Sequence, residues 1–290
     1  MYSVCILNYN DSTTTVKLVN VLRKYESVGR IVVVDNASTD GSYNNLLSVA
    51  DNNVHILESD RNGGYGYGNN IGIKYCYEVL HEKYVVICNP DVLVDESSLI
   101  ACCTYLKEHP DTTVAVPQMF DRNGNEVKQC VWPIQSGIQY LCFSLKVLGF
   151  FFDKKYRDIQ SDVKEVDCVA GSLLVVDVET FVKYGLYDEK IFLFCEETVL
   201  GLRLKNVKRK SVLLKKAKFT HYHSVSINKN IESKLSQKRI MWNSRLYVLE
   251  NYYNWGKIKM LFARLIRKIC LMEEYVVIKK HSLWGVDYDK

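Results

Sequence analysis

Asp91 stands immediately beyond the apolar run Lys83–Cys88, with Asn89 two residues before it, in the segment CNPDVLVD. Two oxygen-bearing side chains at that spacing offer neighbouring ligands to a hard divalent cation. The competing use of an acid here, capping the next helix, falls more naturally to Asp95 or Ser97. Further along, FLFCEETVLGLRLK places Glu196 and Glu197 at the head of an amphipathic segment. Acids favour helix N-termini on dipole grounds alone, yet a carboxylate so placed also serves as a general base. In IVVVDNASTDGS, Asp35 and Asn36 directly follow a β-branched run. A carboxylate there accepts hydrogen bonds from a ribose or base; the same residue types also make an ordinary turn. Finally, DRNGGYGYGNNIGI runs a glycine-rich loop into a helix. That composition either leaves backbone N–H groups for a phosphate or makes a flexible surface loop.

These residues need a scaffold, and the first half of the chain supplies one by alternation. Short β-branched runs at Ser3–Leu7, Arg30–Val34, Val54–Leu57, Lys83–Cys88 and Thr113–Val116 read as buried strands. Between them, Thr13–Tyr25, Ser42–Val49, Asn69–Leu80 and Ser97–Lys107 read as helices, with Ser42 as one N-cap. Such alternation predicts a largely parallel sheet covered on both faces, with ligands beyond the carboxyl ends of the strands. Polar clusters fall at those ends: Asn8–Asp11, Asp35–Asn36, Asp60–Asn62 and Asn89–Asp91. The first strand ends in N-Y-N-D, not in the glycines of a dinucleotide fold, which argues against an NAD enzyme. Residues 120–165 are irregular, with an aromatic-rich stretch at Trp132–Phe152 that reads as a connection shaping an acceptor pocket. Strand signals return at Glu165–Asp177, then helices at Val178–Tyr184 and Glu196–Lys205; beyond His221–Ser226 the chain reads as helical.

Charge is unevenly distributed. Residues 1–204 hold 18 Lys+Arg against 27 Asp+Glu, a net −9, whereas residues 205–290 hold 20 against 6, a net +14. The 10 cysteines include no C-x-x-C and lie mostly in apolar runs, which reads as reduced, buried thiols. The N-terminus MYSVCILNYN has no basic leader, and the longest apolar stretch, Leu141–Phe152, is broken by Lys146 and Gly149. A cytoplasmic location is expected, with peripheral attachment to the inner face of the membrane as an option.

Taken in order, the motifs resemble the family 2 glycosyltransferases over residues 2–226. They are a first strand ending in Y-N, VVDNASTDGS, the loop NGGYGYGNNIG, NPD in the metal-motif position, GSLLVVDVETFVKYGLYDEKIFLFCEE and then HYHSVS. Within that family the wording is most like bacterial rhamnosyltransferase-type enzymes of cell-surface polysaccharide assembly. The resemblance implies an α/β GT-A fold, a Rossmann-like mixed sheet flanked by helices over residues 1–226, with a basic helical extension at 227–290. It further implies a nucleotide-sugar donor, Mg2+ or Mn2+, and one inverting displacement.

Residue by residue, the resemblance implies that Asp35 and Asn36 contact the donor nucleoside and that Tyr9 and Asn10 line its pocket. Asn62, Gly63 and Asn69 belong to the loop closing over the donor. Asp91 is the last acid of the metal motif, whose first position is here Asn89, leaving the cation fewer anionic ligands. His221 matches the histidine that completes metal or pyrophosphate coordination, with His223 a competitor. The family's base is the second acid of an E-D pair, so Glu197 inherits the role with one extra methylene.

The expected function is metal-dependent transfer of a sugar, in the first instance L-rhamnose from dTDP-rhamnose, to a glycan acceptor carried on lipid. Rival readings are a UDP-hexose or UDP-galactofuranose donor, or a non-catalytic nucleotide-sugar-binding subunit. A homo-oligomer is left open. From Lys257 to Lys268, basic residues interleave with Ile258, Leu261, Phe262, Leu265 and Ile266 at helical spacing, continuing to Ile269. That pattern fits a surface helix packed on the domain or one lying on anionic lipid; no nucleic-acid motif accompanies the charge.

Overall fold

The computed structural model describes residues 1–142, 161–222 and 233–283. Its centre is a nine-stranded sheet. The β-branched runs become β1 (Tyr2–Asn8), β2 (Val28–Asp35), β3 (Val54–Glu58) and β4 (Tyr84–Cys88), joined by α1 (Ser12–Leu22), α2 (Ser42–Leu47) and α3 (Tyr65–Glu78). These four strands pair in parallel in the order β3-β2-β1-β4. Side chains such as Val4, Ile6, Val32, Val34 and Val85 are fully buried, as strands sandwiched between helices require. Ser42 is not the cap of α2: Asp40 Oδ1 accepts the Ser42 N–H at 2.9 Å, while Ser42 Oγ accepts the Ser12 N–H at 3.2 Å.

The second half breaks the parallel pattern. It comprises β5 (Val92–Val94), α4 (Glu96–Glu108), β6 (Thr112–Phe120), β7 (Val131–Trp132), α5 (Gly137–Cys142), β8 (Val163–Val166), β9 (Cys168–Val169) and β10 (Leu173–Asp177). After them come α6 (Val178–Thr180), α7 (Glu196–Asn206), β11 (Lys210–His221), α8 (Lys234–Asn251) and α9 (Lys257–Leu283). β10 lies antiparallel between β4 and β6, and β11 runs parallel to β6 with β5 and β8 antiparallel on it. The sheet is therefore mixed. Neither β5 nor β11 is anticipated above: one is three residues long, and lysines interrupt the alternation of the other.

A second apolar core sits apart from the sheet. It joins Tyr140 and Leu141 of α5, Ile191, Val199 of α7, Trp242, Leu246 and Leu249 of α8, and Met260 and Ala263 of α9. It thus draws on residues from both sides of position 226. The aromatic connection beyond Cys142 lies in part outside the described residues, as does His223.

Candidate active site

Strand register brings distant motifs together. β11 pairs antiparallel with β5 so that His221 stands opposite Val92, and this sets His221 Nε2 3.2 Å from Asp91 Oδ1 across 130 residues of sequence. The Tyr222 N–H donates to the Asp91 carbonyl at 3.0 Å, fixing the turn from the other side. Asp91 is almost fully buried. A carboxylate oxygen and an imidazole nitrogen converging this closely are a fitting pair of ligands for a divalent cation, with the remaining positions left to phosphate oxygens and water. Among the described residues no group of three or more His, Cys, Asp or Glu side chains converges to hold an ion without such help. A cleft of about 230 Å³ opens beside Asp91, lined also by Thr14, Lys17, Pro90, Leu93 and Tyr222.

The acid pair approaches from β10. Leu173 registers with Cys88, so the Asn89 N–H donates to the Ser172 carbonyl at 2.9 Å. One residue earlier, the Gly171 N–H points at Glu197 Oε1 at 3.4 Å, and the Gly171 carbonyl accepts the Tyr65 hydroxyl at 2.6 Å. Asn89 and Glu197 are thus one strand-end apart. Glu196 points inward and is buried, with Oε1 lacking a hydrogen-bond partner. Burial, followed by the charge of Glu197, pushes the Glu196 carboxyl well above the ordinary carboxylate range. Burial raises Glu197 as well, opposed by its own backbone N–H and that of Gly171. Phe194 and Cys195, just before the pair, both adopt left-handed φ, 70° and 77°. Such backbone in bulky residues stores about 1–3 kcal/mol each and persists only where the surroundings dictate it.

Those surroundings are identifiable. Ser244 Oγ of α8 donates to the Leu193 carbonyl at 2.7 Å. Asp188 Oδ2 accepts the hydroxyls of Tyr247 at 2.9 Å and Tyr252 at 2.7 Å. From the opposite side, the Phe192 carbonyl accepts the Tyr65 N–H at 2.9 Å, and Asn70 exchanges two 3.0 Å bonds with the Tyr187 backbone. The loop delivering Glu197 is clamped between α3 and α8.

At the ends of β1 and β2, Asn8 and Asp35 are register partners. Asp35 Oδ1 accepts from Asn8 Nδ2 and Ser38 Oγ, both at 2.7 Å, and Oδ2 accepts the Ser38 N–H at 2.9 Å. With no exposed surface and most of its acceptor capacity engaged, Asp35 anchors the 36–40 loop instead of facing out from it. Asn10 (φ 51°) laces to the same loop, its N–H donating to Ser38 Oγ at 2.9 Å and its Oδ1 accepting the Thr39 N–H at 2.8 Å. Tyr9 is half-buried beside it. Asn36 Nδ2 donates to Asn62 Oδ1 at 3.0 Å and to the Gly64 carbonyl at 3.1 Å, joining two of the sequence motifs.

Three N–H groups of the glycine-rich loop are engaged within the protein: Gly63 donates to the Arg61 carbonyl, Gly64 to Asn62 Oδ1 and Tyr65 to the Phe192 carbonyl. Gly64 has φ +93°, and a Cβ there would lie 2.0 Å from the Phe192 carbonyl oxygen, so glycine is what lets the two loops touch. Asn69 is buried with its Nδ2 on the Tyr65 carbonyl at 3.0 Å, turned into the protein. The adjacent Asn70, not singled out by sequence, is the one that reaches across. Asn8, Ser38, Tyr65 and Gly171, which lie within the segments quoted above without being singled out, and Ser244, which lies in none of them, likewise build this region.

Comparison with known proteins agrees with the motif reading. The sequence model of glycosyl transferase family 2 matches residues 3–154. A low-salt glycan biosynthesis hexosyltransferase, Agl10 of Haloferax volcanii, is 27% identical over 195 residues, covering 67% of this chain. The chain spans only 58% of that relative's length. An N-acetylglucosaminyl-diphospho-decaprenol L-rhamnosyltransferase of Mycobacterium tuberculosis is 26% identical over 244 residues, 78% of this chain and 76% of the relative. In three dimensions, the mannosyltransferase PcManGT of Pyrobaculum calidifontis, solved with GDP-Man and Mn2+, superposes with a TM-score of 0.57 at 12% identity, covering 99% of this chain and 76% of the other.

Proposed function

The chain belongs to glycosyl transferase family 2 with a GT-A-type fold, and from that premise we propose that it is an inverting, metal-dependent sugar transferase. The observation that carries this reading is the convergence of Asp91 and His221, 3.2 Å apart, on the strand end that also holds Glu197 through Gly171. Asp91 and His221 would hold Mg2+ or Mn2+. When bound, such a cation neutralises charge developing on the departing nucleoside diphosphate. Glu197, ionised, takes the proton from the acceptor hydroxyl as that oxygen attacks the anomeric carbon; the C–O bond to the diphosphate breaks on the opposite face, inverting the centre. Tyr9, Asn10 and the loop anchored by Asp35 and joined to Asn36–Asn62 would form the nucleoside wall, with Asn89 beside the diphosphate.

For the donor we propose dTDP-L-rhamnose, and for the acceptor a glycan on a lipid diphosphate. The rhamnosyltransferase relative supports both, since its name specifies a diphospho-decaprenol acceptor. A nucleotide-binding subunit without activity would not need a half-buried carboxylate held at the sheet end. Calorimetry and turnover with dTDP-rhamnose, UDP-glucose, UDP-galactose and UDP-galactofuranose, each with and without Mn2+, test the reading. The expected result is metal-dependent binding and slow hydrolysis of dTDP-rhamnose. A preference for a UDP-sugar overturns the donor, and metal-independent binding with no turnover overturns the enzyme.

A further inference from the structure

We propose that α9 is a membrane-docking helix that seats this protein on an anionic bilayer surface, an inference that goes beyond the catalytic reading and does not depend on it. α9 is apolar on two opposite sides. One side packs inward through Met260, Ala263 and Cys270 against Trp242 and Leu246 of α8, and Glu274 there lies 4.0 Å from Lys238. The apolar stripe legible in the sequence is mostly on the other side, and it is uncovered. Ile258 is 88% exposed, Leu261 70%, Phe262 58% and Met272 68%, with Leu265, Ile269 and Val276 about half exposed. At about 100° per residue these positions share one face, diametrically away from the buried one. Periodicity finds an apolar stripe but not which neighbour covers it.

Charge decides the occupant. Lys257, Arg264 and Lys268 are exposed and, at the same helical angle, border one edge of the stripe; Lys259 is exposed beyond the other edge. The only exposed acid on the helix among the described side chains is Glu273. An antiparallel second copy of this face would bring one basic border against another, and any second copy would add to a region whose net charge is already +14 (20 Lys+Arg against 6 Asp+Glu over residues 205–290). An anionic lipid surface meets both needs, taking the apolar side chains about 5–10 Å into the headgroup boundary while its phosphates face the basic border. The helix does this without spanning, since no helix among the described residues is long and apolar enough to cross a membrane.

Flotation of the full chain with vesicles is the test. Vesicles of phosphatidylcholine with phosphatidylglycerol should carry the protein to the top of the gradient, and phosphatidylcholine alone should carry far less. Binding should weaken as salt rises. Leu261→Asp with Leu265→Asp should abolish flotation, and each of Lys257→Gln, Arg264→Gln and Lys268→Gln should weaken it about fivefold. All these variants should keep the wild-type melting temperature and full transfer to a water-soluble acceptor, which separates loss of docking from loss of fold or catalysis. Wild-type protein that ignores anionic vesicles overturns the proposal. So does a dimer, seen by analytical ultracentrifugation, that the Leu261/Leu265 variant dissolves while vesicles are ignored.

Discussion

The backbone carbonyl of Phe192 accepts the N–H of Tyr65 at 2.9 Å, making the glycine-rich loop and the loop that delivers Glu197 one mechanical unit. Gly64, at φ +93° and ψ −176°, occupies backbone space that is essentially glycine-only. Gly64→Ala is therefore expected to destabilise the fold by about 2 kcal/mol or more, and to lower kcat by displacing Glu197. Denaturant unfolding alongside turnover checks this; a fully active, equally stable variant would show that the contact is dispensable.

Glu197→Gln removes the proposed base while keeping its shape. Turnover should fall by about 10²–10⁴-fold, with donor affinity retained in calorimetry. Because burial raises the Glu197 carboxyl above its ordinary value of 4.5, the acid limb of the wild-type kcat/KM profile should lie above that value. Activity should fall as pH drops through the raised pKa. A limb at or below 4.5 argues for a different base.

Glu196 gives a separable signature in stability. Its folded-state pKa is raised well above 4.5 by burial and by Glu197, so the native state holds the proton more tightly than the unfolded chain. The stability this contributes is fully present below about pH 4.5 and is lost as pH rises through the folded-state value. Glu196→Gln should therefore melt close to wild type in acid and increasingly above it towards alkaline pH. Thermal melts across the range test this, and parallel curves for the two proteins would refute it.

Asp91→Asn and His221→Ala should each weaken Mn2+-dependent donor binding by tenfold or more while leaving metal-free nucleotide binding little changed. Asparagine keeps an oxygen but loses the charge, so the two variants should differ in degree, Asp91→Asn being the worse. Equal binding by all three proteins in titrations with and without EDTA would remove this pair from the metal site.

Asp188 ties α8 to the loop that delivers Glu197. Burial raises its carboxyl, but the Tyr252 hydroxyl, the Lys190 N–H and the Tyr247 hydroxyl outweigh it and hold the carboxyl below 3.8. Its contribution is thus present above about pH 3.8 and lost as pH falls through the lowered value. Asp188→Ala, which strands those donors, should cost about 1–3 kcal/mol and lower kcat without changing donor affinity. A loss of donor affinity alone would place its role elsewhere.

Much of this site was legible in the chain. Strands such as IVVVD and YVVIC are determined locally, because β-branched runs between turn residues have few other ways to bury themselves. The polar residues at their ends, Asp35, Asn36, Asn89 and Asp91, were therefore identifiable as strand-end residues, and so as candidates for a site, before any fold was known. What side chains do once there was not. Asp35 and Asn8 become partners only through the β1–β2 register, and His221 reaches Asp91 only because β11 pairs with β5. Of the two neighbours Asn69 and Asn70, only packing decides that the second crosses to Tyr187. The same holds for α9: sequence determined that it is an amphipathic helix, and tertiary structure decided which apolar side is buried. Local propensity acts over a few residues, whereas register and burial depend on partners remote in sequence, 27 residues away for Asn8 and Asp35 and 130 for Asp91 and His221.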